Sequence, residues 1–571
     1  MANKKALLGG QHVKVEQFSG FDKSRFNAFT APLGAIVPFV KQLLLPGSFD
    51  LKVAISASLP PLATDAFLRS HLKVEAFFVP LRLCYGGFAS WFANEKVASV
   101  SHPSSTLSVA KLPRLKCLGA YTDSGGVSHS VVQSTFNSVF GPHTLMDYFG
   151  VKYPLLNGNV VLPSWADPQI SGYYNYTYFN IFPFISYALC YDHWYRNKLI
   201  ERPLFCPPDA SNNPNTDHPA FLPFVSFSNI QDFKLDFTGS GQSSDSLLNG
   251  SLRDLRYRNY GYDYFTTALP SAQDGSPMSV DTSAGSFTIS ALRLANAGQR
   301  FAELNQLASP DYRQVNKARY GVMPSSVVAQ RPVLLGSADF PMFTSGVEQT
   351  AQGTGGASTG NPFAGIASRY GRAHAEGSDF VCMGQVDEPG YLMVMCSLVP
   401  EANYAIGISH DMRIFTKPGS IVDLPNHVLE IAGMEPILSE EVGFDDSADN
   451  TGQDIFGYQP RYMWHKAGPC NEVHGLFRQG ASLQSFIPQR LSSGGSYFNQ
   501  INTAFLKVAP GDLDNITAVS AALSSYGVMI DSRIDLSVSE PLSESVLPSL
   551  VDPAYEHGRD VYLKRGGISV D

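Results

Sequence analysis

Tyr526-Gly-Val-Met-Ile-Asp-Ser-Arg-Ile-Asp-Leu-Ser-Val538 is the longest clean alternation in the sequence. Tyr526, Val528, Ile530, Ser532, Ile534, Leu536 and Val538 fall on one side, and Asp531, Arg533, Asp535 and Ser537 on the other. Successive side chains point to opposite faces of a strand, so this pattern reads as a β-strand with one face buried and one in water. A second pattern of the same kind lies far away in the chain, where Leu51, Val53, Ile55 and Ala57 alternate with Lys52 and Ser56. Leu72-Lys-Val-Glu-Ala-Phe-Phe-Val79 begins by alternating, then turns apolar on both faces before Pro80 closes it. Tyr391–Val399 and Asp411–Thr416 read as two further strands. Strands drawn from distant parts of the chain, with few helical patterns between them, predict an antiparallel sandwich. The expected fold is mainly β: an eight-stranded antiparallel jelly roll with long loop and helical insertions. Such a framework needs only roughly 150–200 residues, so most of the 571 residues are insertion.

Between the strands, Leu294, Ala297, Phe301, Leu304 and Ala308 are spaced as one stripe of a helix near 289–308. Phe88, Trp91 and Phe92 within Cys84–Lys96 form a shorter stripe, and Tyr187, Cys190, Tyr191 and Trp194 another. All three are expected to be core-packing faces. Gly239–Ser246 and Gln349–Gly360 are Gly/Ser/Thr-rich and read as loops.

Charged residues make up 16% of the chain, against about 25% in an ordinary soluble protein. A surface so poor in ions is expected to face something other than water. The 37 Phe, 26 Tyr and 4 Trp exclude disorder as the main state. Net charge is −9, yet residues 1–25 carry Lys4, Lys5, Lys14, Lys23 and Arg25 against Glu16 and Asp22, a surplus of +3 that leaves −12 for the rest. Only that arm suits phosphate binding. The seven cysteines (Cys84, Cys117, Cys190, Cys206, Cys382, Cys396 and Cys470) are odd in number, with no Cys-x-x-Cys pair, which argues against a disulfide scaffold. The apolar run Ala6–Leu8 is too short for an export signal, and no stretch approaches the roughly 18 apolar residues of a membrane helix. Neither export nor membrane insertion is expected.

Motifs for catalysis mostly fail. No phosphate-binding Gly-x-x-x-x-Gly-Lys-Ser/Thr and no His-Glu-x-x-His occur. Gly356-Ala-Ser358-Thr-Gly360 has the letters of a nucleophile elbow, but both flanks are loop instead of strand and helix. His465, Cys470 and His474 lack the paired turn of a zinc site. Asp445, Ser447 and Asp449 offer oxygens at the first, third and fifth places of a calcium loop. Asn450 and Phe456 then stand where Gly and a bidentate Glu belong. No catalytic residue, cofactor or firm metal site is expected.

One set of motifs does recur in order along the chain. Arg25-Phe26, Ile36-Val-Pro-Phe39, Leu45-Pro-Gly-Ser-Phe49 and Phe77-Phe-Val-Pro-Leu-Arg-Leu83 come first. Asp147-Tyr-Phe-Gly150, Trp194-Tyr-Arg196, Arg256-Tyr-Arg258, Asp263-Tyr-Phe-Thr-Thr-Ala-Leu-Pro270 and Gln273 follow. Gln330-Arg-Pro332 with Leu335-Gly336, Gln349-Thr350 and Phe456-Gly-Tyr-Gln-Pro-Arg-Tyr462 complete the set. Together they resemble the major capsid proteins of the Microviridae, in the gokushovirus-like branch. The resemblance implies a jelly-roll subunit that self-assembles on T=1 icosahedral symmetry around the circular single-stranded DNA genome of a small bacteriophage. It implies no catalysis. It also implies, as partners, a small basic DNA-packaging protein, a pilot or minor capsid protein, a scaffolding protein and a host surface receptor, with assembly in the bacterial host cytoplasm. On this reading residues 1–25 are an interior arm, and 26–571 are one discontinuous domain with insertions at about 84–255, 285–335, 345–385 and 430–520. Lys4, Lys5, Lys14, Lys23 and Arg25 are then candidates for DNA contact, and Tyr173, Tyr174, Tyr176, Tyr178 and Phe179 for contact between copies. The short run after Gln273 argues against a threefold protrusion built there. Two other readings are a β-rich carbohydrate-binding or carbohydrate-cleaving protein, which needs paired carboxylates in a cleft, and a phage spike or host-attachment protein.

Overall fold

The computed structural model describes residues 18–93, 112–119, 128–163, 176–201, 254–272, 288–307, 311–348, 369–413, 433–443, 455–467, 470–490, 500–518 and 526–541, with short pieces between them. At its centre lie β1 (Ser19–Asp22), β2 (Arg25–Ala31), β3 (Val37–Leu44), β4 (Gly47–Ser58) and β5 (Ser70–Pro80). The second half of the chain adds β6 (Val333–Pro341), β7 (Phe343–Glu348), β8 (Arg369–Val386), β9 (Gly390–Pro400) and β10 (Val528–Glu540). They form two antiparallel sheets. The six-stranded sheet runs β10-β4-β8-β7, with β1 and β2 following one another along the outer side of β10. The four-stranded sheet runs β6-β5-β9-β3. The late strand β10 thus lies between two early ones, with Ser532 opposite Asn27 on β2 and Ile55 on β4.

Burial explains the sequence patterns. Val53 and Ile55 of β4 and Ile534 and Leu536 of β10 share one core with Val74 and Ala76 of β5 and Val394 and Cys396 of β9. Asp531, Arg533 and Ser537, between the inward residues of β10, are exposed. The four-stranded sheet is covered on both faces. All eleven residues of β9 are buried, and Tyr391, Met393 and Met395 pack with Phe77 and Val79 of β5 against helices α1 (Gln133–Phe140) and α2 (Phe182–Cys190) in a second core. A strand buried on both sides has no polar alternation left to show. A third, smaller core gathers Phe265, Tyr404, Ile437, Phe456 and Phe505.

Several expectations change. Arg369–Val386, within the stretch read as an insertion at about 345–385, is a long strand of the six-stranded sheet. Ser19–Asp22, read as arm, pairs with β10. Asp411–Thr416 does not start as a strand: His410–Arg413 is a helical turn, with the His410 ring held by Glu441. The helix near 289–308 exists as α3 (Ile289–Leu307), followed by α4 (Tyr312–Tyr320), but Leu294 and Phe301 on its apolar stripe are exposed, not core. Of Phe88, Trp91 and Phe92 in the helix Phe88–Phe92, only Phe88 is buried, while Trp91 and Phe92 reach the surface. Tyr187, Cys190 and Tyr191 do pack in the second core, with Trp194 at its margin. The loops 239–246 and 349–360, Ser358 and Gln273 lie outside the described residues.

Candidate assembly surfaces

Insertions can present a surface only if their feet are fixed to the sandwich, and buried charges do this here. The Arg258 guanidinium donates to both oxygens of Glu75 on β5 (2.8 and 2.9 Å), and the Tyr195 hydroxyl donates to the same carboxylate. Asp311, at the start of α4, receives Lys198 Nζ at 3.0 Å and Arg331 Nη1 at 3.3 Å. Burial acts to raise the Asp311 carboxyl, but the Lys198 hydrogen bond and the Lys198 and Arg331 charges outweigh it and hold it below its ordinary range. The Arg331 guanidinium lies 4.2 Å over the Trp194 ring, whose Nε1 donates to Pro332 O at 3.0 Å. Asp263 accepts from the backbone of Phe265 and Thr266 and from the Tyr404 hydroxyl, while Leu269 and Tyr458 exchange backbone hydrogen bonds. Motifs far apart in sequence therefore meet in space: Trp194-Tyr-Arg196 with Gln330-Arg-Pro332, and Asp263–Pro270 with Phe456–Tyr462.

The candidate residues separate on inspection. Lys23 Nζ donates to both oxygens of Glu540, at 3.0 and 2.9 Å, and Leu45 N reaches the same carboxylate at 3.2 Å. Its ammonium is held by the sheet. Arg25 is on the exposed side of β2, where partial burial lowers its affinity for a proton. Tyr178 is half out of the surface beneath the Arg114 guanidinium, 4.0 Å from its ring, and Phe179 packs at the margin of the second core. Tyr176 lies on the same strand, Tyr176–Asn180, paired with Arg114–Leu118. Lys4, Lys5, Lys14, Tyr173, Tyr174, Asp445, Ser447 and Asp449 lie outside the described residues.

His465, Cys470 and His474 line one hollow with Tyr264, His410, Glu441 and Trp464. The His410 ring donates to Glu441 at 2.8 Å and packs on Trp464. Among the described residues no group of three His, Cys, Asp or Glu could hold a metal ion. Burial pushes the Cys470 thiol up to about 12, so it is protonated at neutral pH and a poor nucleophile.

Apart from Tyr178, sequence reasoning singles out none of the residues of the apolar, open surfaces as contacts with another molecule. Leu43, Trp91, Phe92 and Tyr178 rim a hollow floored by Phe88, Phe182 and Tyr391. Phe26, Phe343, Phe380 and Met383 stand exposed on the six-stranded sheet, and α3 and α4 carry a third group. An isolated soluble chain rarely exposes so many large apolar side chains. Exposure of this kind has no sequence signature, because a stripe that will face another molecule looks like one that faces its own core. No described helix is long and apolar enough to cross a membrane.

Comparison with known proteins agrees with this picture. Residues 278–548 match the family model described as Capsid protein (F protein). The chain is 23% identical over 536 residues to the Capsid protein VP1 of Chlamydia phage 1, covering 81% of this chain and 85% of the relative. It is 27% identical over 198 residues to the Capsid protein VP1 of Bdellovibrio phage phiMH2K, covering 34% of this chain and 35% of that relative. The family match takes in β6 to β10 and the longer relative spans most of the chain, so the chain is similar over most of its length to capsid proteins of small phages, which supports a major capsid protein of such a phage.

Proposed function

We propose that this chain builds a T=1 icosahedral shell around circular single-stranded DNA, with an eight-stranded jelly roll as its wall. Strand order supports the jelly roll. Setting aside the short edge strands β1 and β7 leaves eight, ordered β2-β10-β4-β8 in one sheet and β6-β5-β9-β3 in the other, so that successive strands alternate between sheets from β2 to β5 and again from β6 through β8 and β9 to β10, with β5 and β6 paired in one sheet. On this reading residues 26–571 are one discontinuous domain and residues 1–25 begin as an interior arm, with Lys4, Lys5, Lys14 and Arg25 offsetting phosphates without base readout. Lys23 contributes less, being held by Glu540. Tyr173, Tyr174, Tyr176 and Tyr178 face neighbouring copies, while Phe179, packed at the margin of the second core, supports the strand from behind. The acidic body needs a separate basic packaging protein to neutralise the genome, and the shell is completed in the host cytoplasm with scaffolding and pilot proteins before it meets a surface receptor. The role is structural, without catalysis.

The observation that carries the reading is the amount of apolar side chain left open on a sandwich whose insertions are fixed at their feet. Copies meeting through several different contacts that close around symmetry axes would cover it. Expression of the full chain with its phage partners, followed by electron microscopy and nuclease treatment, tests this. Closed shells of uniform diameter protecting single-stranded DNA are expected. Monomers or trimers in every preparation would overturn it.

A further inference from the structure

The described side chains of the helical hairpin α3–α4 and of the turn after it are little buried above the hairpin's foot. No described side chain from Thr288 to Phe301 or from Tyr312 to Gln330 is buried. Ten large apolar side chains there, among them Ile289, Leu294, Phe301, Tyr312, Tyr320 and Val328, are between 44% and 74% exposed. At about 150–200 Å² for a large side chain, that is roughly 1,000 Å² of open surface, above the approximately 800 Å² that each partner gives to a stable interface. The foot of the hairpin is nonetheless firmly placed, by Lys198 and Arg331 on Asp311 and by Trp194 on Pro332. Arg313 Nε to Pro324 O (2.6 Å) and Asn316 Nδ2 to Val322 O (2.7 Å) fasten the following turn to α4.

Charge points to the occupant. Residues 288–331 hold six cations, Arg293, Arg300, Arg313, Lys317, Arg319 and Arg331, against Glu303 and Asp311, a surplus of +4 in a chain of net charge −9. The remainder is therefore at −13. Arg293, Arg300, Lys317 and Arg319 are on the exposed side. An element that is basic and aliphatic, on a body that is acidic and apolar, is complementary to that body as another molecule presents it. Single-stranded DNA would match the cations but leave Ile289, Leu294 and Val328 in water.

We infer that the α3–α4 hairpin is a clamp that docks onto a second copy of this chain, its aliphatic side chains buried there and its cations facing that copy's carboxylates. This rests on self-assembly and names the element that makes one of its contacts.

The test uses the full chain carrying Leu294→Gln and Val328→Gln, which leave the net charge unchanged. The melting midpoint of the dissociated subunit should stay within about 1 °C of the parent, because neither residue is buried in it. Shells counted by sedimentation and negative stain should fall about tenfold or more at equal concentration. Shells at the parent's yield overturn the inference, whether or not their DNA content drops; a drop with normal yield assigns the hairpin to the genome. A lowered melting midpoint also overturns it, since the residues would then be packing within their own subunit. If the parent chain itself makes no shells, self-assembly fails before any substitution is made.

Discussion

Replacing Glu540 by Gln asks whether the first and last described strands are locked into one sheet. The Glu540 side chain is only 4% exposed, that of Lys23 is 24% exposed, and the two meet at 2.9 Å while Leu45 N donates to the same carboxylate. The amide keeps the shape and one acceptor oxygen but leaves the ammonium facing a neutral group. Removing one partner of a fully buried pair costs about 3–5 kcal/mol, and an exposed pair is worth less than about 1 kcal/mol. This pair lies between those limits, so Glu540→Gln should cost about 1–3 kcal/mol, read from the denaturant midpoint of the dissociated subunit at unchanged slope. Lys23→Met should cost a similar amount by stranding the carboxylate. The double variant should be no worse than either single one by more than about 0.5 kcal/mol, a coupling typical of direct contact. Trypsin should also cut after Arg25 sooner in Glu540→Gln, as β1 and β2 open. A cost below about 0.5 kcal/mol, or single effects that simply add, would refute the clamp.

The alternation in β10 predicts opposite outcomes for neighbours: Ile534→Ala, fully buried, should lose about 2–5 kcal/mol, and Arg533→Ala, on the wet face, less than about 0.5 kcal/mol, so equal losses in urea unfolding would contradict the register. Gly47→Ala would place its Cβ 1.9 Å from Ser539 O and push β10 away, costing about 2 kcal/mol or more, whereas at Gly20 an added Cβ meets nothing within 4 Å and the same change should be silent; thermal melts of the two variants decide. Burial, helped by the Lys198 and Arg331 charges, lowers His193 to about 4 against the pull of Asp192 and Asp311. The unfolded chain binds that proton from about pH 6.5, so stability should fall as pH drops from there toward 4, by about 1–3 kcal/mol. His193→Gln should flatten that part of the profile; an unchanged slope between pH 6.5 and 4 counts against it.

What could be read from the residues follows where water lies. β4 and β10 were legible because one side of their sheet is wet, so each polar residue marks the face of the next. β9 could be recognised only as an apolar run, since helices cover its second side. β8 escapes the same reading for a steric reason. Its inward positions are Gly371, Ala373, Ala375 and Gly377, small because the chain packs so closely there: a Cβ on Gly377 would come within 2.5 Å of the Phe340 ring, and one on Gly371 within 2.2 Å of Thr64 O. A strand whose core side is glycine and alanine has no hydrophobic signature. At α3 the period of the stripe announced a helix correctly, but periodicity does not say which molecule supplies the opposite surface. The ordered motifs carried the family because they are tertiary pins, as Arg331 over Trp194 and Arg258 on Glu75 illustrate. Lys23 looked free for DNA because its partner lies 517 positions away.

The insertion of β10 between β2 and β4 also sets a schedule for biosynthesis. Nine of the ten labelled strands are made before the one that fills the gap between β2 and β4, and until then those two strands present unpaired backbone to solvent. Chains cut short before β10 would be left with that gap open, and their unpaired strand edges would favour association with other chains over folding.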